Sequence, residues 1–315
     1  MAEPNKADFV WMDGKVVPWA DATIHVSSEA VLRGASIFEG MRAYWNDEAK
    51  ELFIFKNAEH LLRLRRSAKI MRLTVPFTDE ELTKGFIDLL RALKYRDSVH
   101  FRPVAYFDEG EPYAWMPEEI TSRIFVLAFS RPHLASVQKG IKSCISTWRR
   151  NSDNASPSRL KASANYHNSR FANVEAKING FGTPIMLNDR GEVSESPGSC
   201  FMMVRDGVVI TPPVTADILE SITRATLIDL FRDELGVSVI ERDIDRTEVY
   251  VADEAFFCGS GHEVQPIISV DHYPVGEGTV GPLTRKIQTL YFDIAKGNVA
   301  KYRKWLTPVY GEAAR

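Results

Sequence analysis

A chain of 315 residues with 44% hydrophobic and 26% charged residues can bury a sizeable core, and at that length two domains are expected rather than one. Its 39 basic residues nearly balance 42 acidic ones, for a net charge of −3, with no long like-charge block of the kind found in nucleic-acid-binding tails. Three scattered cysteines (Cys144, Cys200, Cys258), a start with no basic-then-apolar leader and no apolar run of about 18 residues point to a cytoplasmic protein that neither spans a membrane nor binds nucleic acid.

The first elements form a mixed α/β unit. "FVWMDGKVVPW" is two short apolar runs joined by Asp13-Gly14, a hairpin signal, and "SIFEGMRAYW" (36–45) and "LFIF" (52–55) follow as strands. "AEHLLRLRRSAKIM" places Leu61, Leu64 and Ile70 at helical spacing. A second helix, "LTKGFIDLLRAL", opens with Thr78 and Glu81 in capping-box positions. The strands "SVHFRPVAYF" and "RIFVLAF" close a unit expected over 1–130, and the polar segment 131–140 reads as a connector.

The second unit, expected over 141–315, begins with a strand near 141–148 and an irregular stretch containing Lys161. A helix then runs to about Asn179, and "TPIMLND", "CFMMV" and "VVIT" read as strands, the last two joined through Asp206-Gly207. "SITRATLIDLFRDELG" is a helix with Leu227, Leu230 and Phe231 on one face and Gly236 as its stop. A strand, a glycine turn and a strand, "EAFFCGSGHEVQPIISV", precede the helix "PLTRKIQTLYFDIAKG". No internal repeat is present.

The seven histidines lack metal-ligand spacing, so no metal site is expected, and Gly-x-Ser-x-Gly and Rossmann signatures are missing. Four features invite a chemical reading beside a plain one. Lys161 is followed by Ala162, Ser163 and Ala164, which leave room for a bulky group, although an isolated lysine is usually on the surface. Glu195 in "GEVSESPGS" lies just after a strand and before a tight turn, where a lone glutamate is usually solvated. Thr223 starts a helix, where free amides favour phosphate but where simple capping is commoner. Arg63 sits beside Arg65 and Arg66, which also suits a solvent-facing stripe. An amine, a carboxylate, a helix N-terminus and an arginine are what pyridoxal phosphate needs, but the inventory is not unique to it.

The wording and order of the motifs narrow the choice. "MDGKVVPWADATIHVSSEAVLRGASIFEGMRAY", "HLLRLRRSAKI", "FRP", "KASANYHNS", "GEVSES", "TPPVTADILESITRATL", "ADEAFFCGSGHEVQPIISVD" and "GEGTVGPLTRKIQ" run over nearly the whole chain. In them the sequence resembles the class IV, fold-type IV pyridoxal-phosphate aminotransferases, and most of all the branched-chain amino-acid aminotransferases. The resemblance implies a mixed α+β fold of two domains, a small N-terminal α/β domain and a larger C-terminal one, with the cofactor at their interface. Lys161 would bond the cofactor aldehyde and move the proton between the substrate α-carbon and C4′. Glu195 would hold the pyridine nitrogen protonated, and Tyr166 would bond the phenolic oxygen. Arg63, Ile222, Thr223, Gly259 and Ser260 would bind phosphate. Phe38, Gly40, Gly261 and His262 would line the substrate pocket of a homodimer, with ping-pong transfer by a Schiff-base route to a 2-oxo acid such as 2-oxoglutarate.

Departures from the branched-chain pattern bear on substrate. Arg33 and His100 stand where tyrosines are usual, Arg131 and Leu134 where aromatic residues are usual, and His262 replaces a small residue. Arg33, Arg102 or Arg131 is expected to pair with a substrate carboxylate. The same departures leave a D-amino-acid or (R)-amine transaminase as an alternative. Aminodeoxychorismate lyase is disfavoured by "FEGMRAY" and "GPLTRKIQ", and a non-catalytic scaffold by the retained Lys161, Tyr166 and Glu195.

Overall fold

The computed structural model describes residues 6–110, 114–132 and 135–311. The fold is mixed α+β with two sheets, carried by two compact units. One unit comprises Met1–Pro132, Leu160–Ala164 and Asp293–Arg315, and the other His133–Arg159 and Asn165–Phe292.

In the first unit, β1 (Phe9–Met12) and β2 (Lys15–Pro18) pair antiparallel around Asp13 and Gly14, whose φ values of 46° and 92° are both positive, as a tight hairpin requires. A short helix not expected from the sequence, α1 (Glu29–Arg33), is capped by Ser28 and stopped by Gly34 at φ 68°. Five residues are too few to show a period.

The stretch 36–45, expected as one strand, is two: β3 (Ser36–Phe38) and β4 (Met41–Asn46). The break is at Glu39, whose side chain turns into the interior while its N–H donates to Pro103 O at 2.9 Å. Next come β5 (Glu51–Phe55), the helices α2 (Asn57–Met71) and α3 (Asp79–Leu93), and the long strands β6 (Val99–Gly110) and β7 (Ile120–Ser130). The sheet runs from the strand Leu306–Pro308 through β5, β4, β6, β7 and β1 to β2, with β3 also on β6.

Thr78 and Glu81 form the reciprocal capping box that the sequence signals. On α3, Leu82, Gly85, Phe86, Leu89 and Leu90 are buried at i, i+3, i+4, i+7 and i+8, the spacing of one helical face. On α2, Leu61 and Leu64 are buried, but Ile70 is not part of that face: it is 46% exposed, and Ser67 and Ala68 continue the stripe instead. Gly85 lets α3 approach β1, since a Cβ there would lie 2.5 Å from Trp11 Cε2. Gly85→Ala should therefore destabilise the unit by about 1–3 kcal/mol, although alanine gains roughly 1 kcal/mol in helix propensity. An unfolding midpoint at or above the wild-type value would refute that packing argument.

The second unit contains α4 (Ala135–Lys139), β8 (Ile141–Ser143), α5 (Tyr166–Ile178), β9 (Cys200–Arg205), β10 (Val208–Thr211) and α6 (Ile222–Asp233). It continues with β11 (Val239–Glu241), β12 (Glu254–Gly259), β13 (Glu263–Val270), β14 (Tyr273–Pro274) and most of α7 (Pro282–Ala295), after which the chain supplies β15, the strand Leu306–Pro308 of the first sheet. The sheet order is β11-β10-β9-β12-β13-β14, with β8 parallel on β13.

Two expected strands are reduced here. β8 stops at Ser143, and 183–189 contributes only the isolated bridges Ile145↔Ile185 and Leu187↔Val193. Their hydrogen bonds change partner within a residue or two: Ile185 N donates to Cys144 O, while Met186 N donates to Glu195 O. The units are also not divided by one cut at 131–140. Phe38 N donates to Lys161 O at 3.0 Å and Ile37 bridges Ala162, which joins Leu160–Ala164 to the first sheet, and β15 pairs with β5.

Candidate active site

Lys161 lies in the first unit. Its backbone is fixed on both sides, with its N–H on Ser67 Oγ at 3.2 Å and its carbonyl on Phe38 N, so the segment runs like a strand beside β3. The residue is 8% exposed, with Nζ 4.9 Å from the centre of the Phe38 ring. That burial removes the plain surface reading. Ser36 Oγ donates to Ser163 Oγ at 2.8 Å, and a Cβ on Gly34 would touch Ala164 at 3.7 Å, so the small residues after the lysine are packed closely.

Around Phe38 the same unit gathers other expected residues. The exposed guanidinium of Arg102 lies 4.6 Å from the Phe38 ring centre. His100 follows Val99 at the start of β6, between Arg42 of β4 and Phe129 of β7, and a Cβ on Gly40 would lie 3.3 Å from its Cε1. Burial, then Arg102, Arg131, Arg42 and Lys161, push its imidazole down to about 2. The ring is therefore neutral at working pH and sits among cations. Arg33 is placed differently: it pairs with Glu29 one turn earlier on α1 and covers the Trp115 ring at 5.0 Å. Leu134 lies outside the described residues.

Arg63 is 9% exposed, which excludes the solvent-facing stripe. Its Nε donates to Glu39 Oε1 at 2.7 Å and Nη2 to Oε2 at 2.6 Å, a planar fork on a carboxylate. His60 Nδ1 lies 2.8 Å from the same Oε2. Burial raises Glu39, but the charge and donors of Arg63 together with His60 outweigh it and bring the carboxyl down to about 2. Burial lowers His60, so a neutral ring donating through Nδ1 satisfies the pair. Sequence reasoning misses Glu39 and His60; the only available signal is an acidic residue inside an apolar strand pattern.

The second unit holds the carboxylate. Glu195 is 4% exposed, so it is not solvated, and its Oε1 receives Arg150 Nε and Nη2, both at 2.8 Å, and Leu219 N at 3.2 Å. Cys200 Sγ is 3.8 Å from Oε2, and burial and then Glu195 keep that thiol well above its usual range, hence protonated. Thr223 is not the cap of α6. Ser221 is, taking Arg224 N on its hydroxyl at 3.1 Å, which leaves Ile222 and Thr223 as the first helical residues, whose amides point out of the helix end.

Gly259 closes β12, and His262 N donates back to Gly259 O at 3.1 Å, making a tight turn through Ser260 and Gly261. A Cβ on Gly259 would meet Ser199 at 3.2 Å, whereas one on Gly261 would meet nothing within 4 Å. A Cβ on Gly198 would lie 3.6 Å from His262 Cε1. Tyr166 is the first residue of α5. The two units thus carry a buried amine with a paired arginine, and a buried carboxylate with an amide-lined helix start and a glycine turn.

The family model for amino-transferase class IV matches residues 36–270. The chain belongs to the class IV aminotransferase family. A probable branched-chain-amino-acid aminotransferase of Aquifex aeolicus is 39% identical to this aminotransferase over 98% of the chain and 99% of the relative. The crystal structure of the branched-chain amino acid aminotransferase from Thermobaculum terrenum in its PLP form aligns at TM-score 0.89 with 39% identity, over 97% of this chain and 99% of that one. That of a T.th. branched-chain amino acid aminotransferase complexed with N-(5′-phosphopyridoxyl)-L-glutamate aligns at TM-score 0.90 with 34% identity, over 97% and 100%.

His100 gives this aminotransferase a measurable signature. An imidazole held neutral in the folded state but protonated in the unfolded chain costs stability as pH falls below its ordinary 6.5, a loss that continues toward about 2. Between pH 8 and pH 5 the cost is about 2 kcal/mol. His100→Phe should remove that part of the pH dependence, and the His100 ring resonances of the wild type should not titrate down to pH 5. A midpoint near 6 for that ring would show that burial and the neighbouring cations do not hold it neutral.

Proposed function

We propose that this chain is a pyridoxal-5′-phosphate-dependent branched-chain-amino-acid aminotransferase, moving the amino group of a branched-chain L-amino acid to a 2-oxo acid. The observation that carries the reading is the buried Lys161 amine, fixed through its backbone and packed on Phe38. The other groups suit the cofactor's chemistry: a buried carboxylate for a ring nitrogen, and helix amides, a glycine turn and an arginine for a phosphate. When bound, pyridoxal phosphate supplies an aldehyde to capture the substrate amine and a ring that accepts electrons from the α-carbon.

We assign the residue roles from the family resemblance. Lys161 would hold the cofactor through its aldehyde and would carry the proton between the substrate α-carbon and C4′. Glu195 keeps a proton on the ring nitrogen. Tyr166 orients the phenolic oxygen, while Arg63, Ile222, Thr223, Gly259 and Ser260 hold the phosphate. Phe38, Gly40, Gly261 and His262 bound the substrate. Two substrates use the site in turn, so the kinetics are ping-pong. The glutamate adduct of the T.th. relative supports glutamate and 2-oxoglutarate as one substrate pair.

Of the cations expected to meet a substrate carboxylate, Arg102 is the best placed, beside Phe38 on the strand that carries His100, whereas Arg33 is engaged by Glu29 and Trp115. Arg131 follows β7 and bears on His100. Arg102→Met should raise KM for 2-oxoglutarate roughly 10- to 100-fold through a lost charge-assisted contact and change KM for L-leucine little. Equal changes for both substrates would remove Arg102 from that role.

A homodimer is supported by the family resemblance and by apolar side chains left exposed in the first unit, Val26 at 72%, Leu32 at 62% and Trp115 at 77%. Sedimentation gives the mass. Three free cysteines support a reducing, cytoplasmic setting, and no helix among the described residues is long and apolar enough to cross a membrane. A donor panel of L-leucine, D-alanine, D-glutamate and (R)-1-phenylethylamine, with 2-oxoglutarate or pyruvate as acceptor, tests the substrate class. L-leucine with 2-oxoglutarate should be fastest, and a faster D-amino acid or (R)-amine overturns the assignment.

A further inference from the structure

Arg150 is 7% exposed, while its neighbour Arg149 is on the surface and donates to Asp189 O. A buried arginine–glutamate pair is often no more stable than an apolar pair of the same volume, so stability alone does not account for it. Its geometry centres on the carboxylate. Nε and Nη2 both close on Glu195 Oε1 at 2.8 Å, and Leu219 N reaches the same oxygen at 3.2 Å.

The backbones are tied as well. Arg150 N donates to Leu187 O at 2.8 Å, and Met186 N donates to Glu195 O at 2.9 Å, so adjacent residues anchor both partners. Meanwhile Arg150 Nη1 is buried with no hydrogen-bond partner. The arrangement serves the carboxylate rather than the full complement of guanidinium donors.

We propose that Arg150 is a positioning residue for the cofactor, holding Glu195 ionised and in a fixed orientation so that the ring nitrogen meets a pre-formed anion. This rests on Glu195 being the partner of that nitrogen. Without Arg150, a carboxylate in this dry setting loses both its counter-charge and its aim. The effect must then act through the ring nitrogen and through nothing else on the cofactor.

The test is binding, not turnover. The apoprotein is titrated with pyridoxal 5′-phosphate and with 1-deazapyridoxal 5′-phosphate, in which CH replaces the ring nitrogen, for wild type, Arg150→Met, Arg150→Lys and Glu195→Gln. Wild type should favour the natural cofactor by roughly tenfold or more, as a charge-assisted hydrogen bond allows. Arg150→Met should erase most of that preference while leaving affinity for the deaza analogue within about twofold, because that analogue makes no such bond. Arg150→Lys, which keeps the charge but not the fork, should restore part of it and carries the test if the Met variant does not fold. In a Glu195→Gln background, Arg150→Met should have no further effect on the preference.

Equal losses for both cofactors would make Arg150 merely structural, and an unchanged preference would leave it without this role. Either result overturns the inference and leaves the Glu195 assignment standing. A wild type that binds both cofactors equally removes the Glu195 assignment, and the role of Arg150 with it.

Discussion

Lys161→Ala should lower the rate of L-leucine transamination by on the order of 10^4-fold or more, the scale seen when a covalent nucleophile and proton carrier is removed. The purified wild type should be yellow and be bleached by borohydride, which fixes the cofactor to the chain, whereas the variant should retain no cofactor through that treatment. Folding should be unaffected. The segment is held by backbone bonds, Lys161 N to Ser67 Oγ and Phe38 N to Lys161 O, which alanine keeps, and the substitution removes a buried amine. Arg102, also beside Phe38, cannot take over the chemistry, because a guanidinium stays protonated and does not act as a nucleophile. If the alanine variant keeps more than about a hundredth of the rate, the amine is not the reacting group.

Local signals in the sequence account for the hairpins at Asp13-Gly14 and Asp206-Gly207, the capping box at Thr78 and the buried face of α3, because each depends on residues within about eight positions of one another. The family's motifs in turn point to Lys161 and Glu195, although from spacing alone both have plain alternatives as surface groups, and burial is what removes those alternatives. What the sequence hides is pairing across distance. Glu39 meets Arg63 from 24 positions away, Arg150 meets Glu195 from 45, and no local pattern encodes either. The break between β3 and β4 has the same origin, since an apolar run with one glutamate reads as a continuous strand until the glutamate's buried partners are known. Likewise, Leu160–Ala164 joins the first sheet through bonds to β3, more than 120 positions earlier in the chain. A substrate-facing Arg33 is expected because a tyrosine is usual there; Glu29, one turn before it on the same helix, engages it instead.

Glu39→Gln should destabilise the first unit by about 3–5 kcal/mol, the cost of leaving a buried guanidinium without its counter-charge. The glutamine carbonyl can accept one of the two Arg63 bonds, but its amide turns a donor toward either Arg63 or His60, both of which donate to the carboxylate in the wild type. The loss therefore exceeds that of one hydrogen bond. Replacing both partners, Glu39→Met with Arg63→Met, should cost far less, since an apolar pair leaves no buried charge. The pH dependence has a definite sign. Because the folded carboxyl lies near 2 against an ordinary 4.5, its contribution is fully present above 4.5 and is lost as pH falls toward about 2, where the folded group takes up its proton. Wild type should lose that stability across the window, and Glu39→Gln should lack that component. Hydrogen exchange of the β4 and α2 amides, measured at pH 7 and at matched intrinsic rates near pH 3, reads the unit directly. A variant as protected as wild type at pH 7 would mean that the carboxylate contributes no net stabilisation through Arg63. A single variant that is no less stable than the double one would show that the Arg63 guanidinium finds water or another acceptor once the carboxylate is gone.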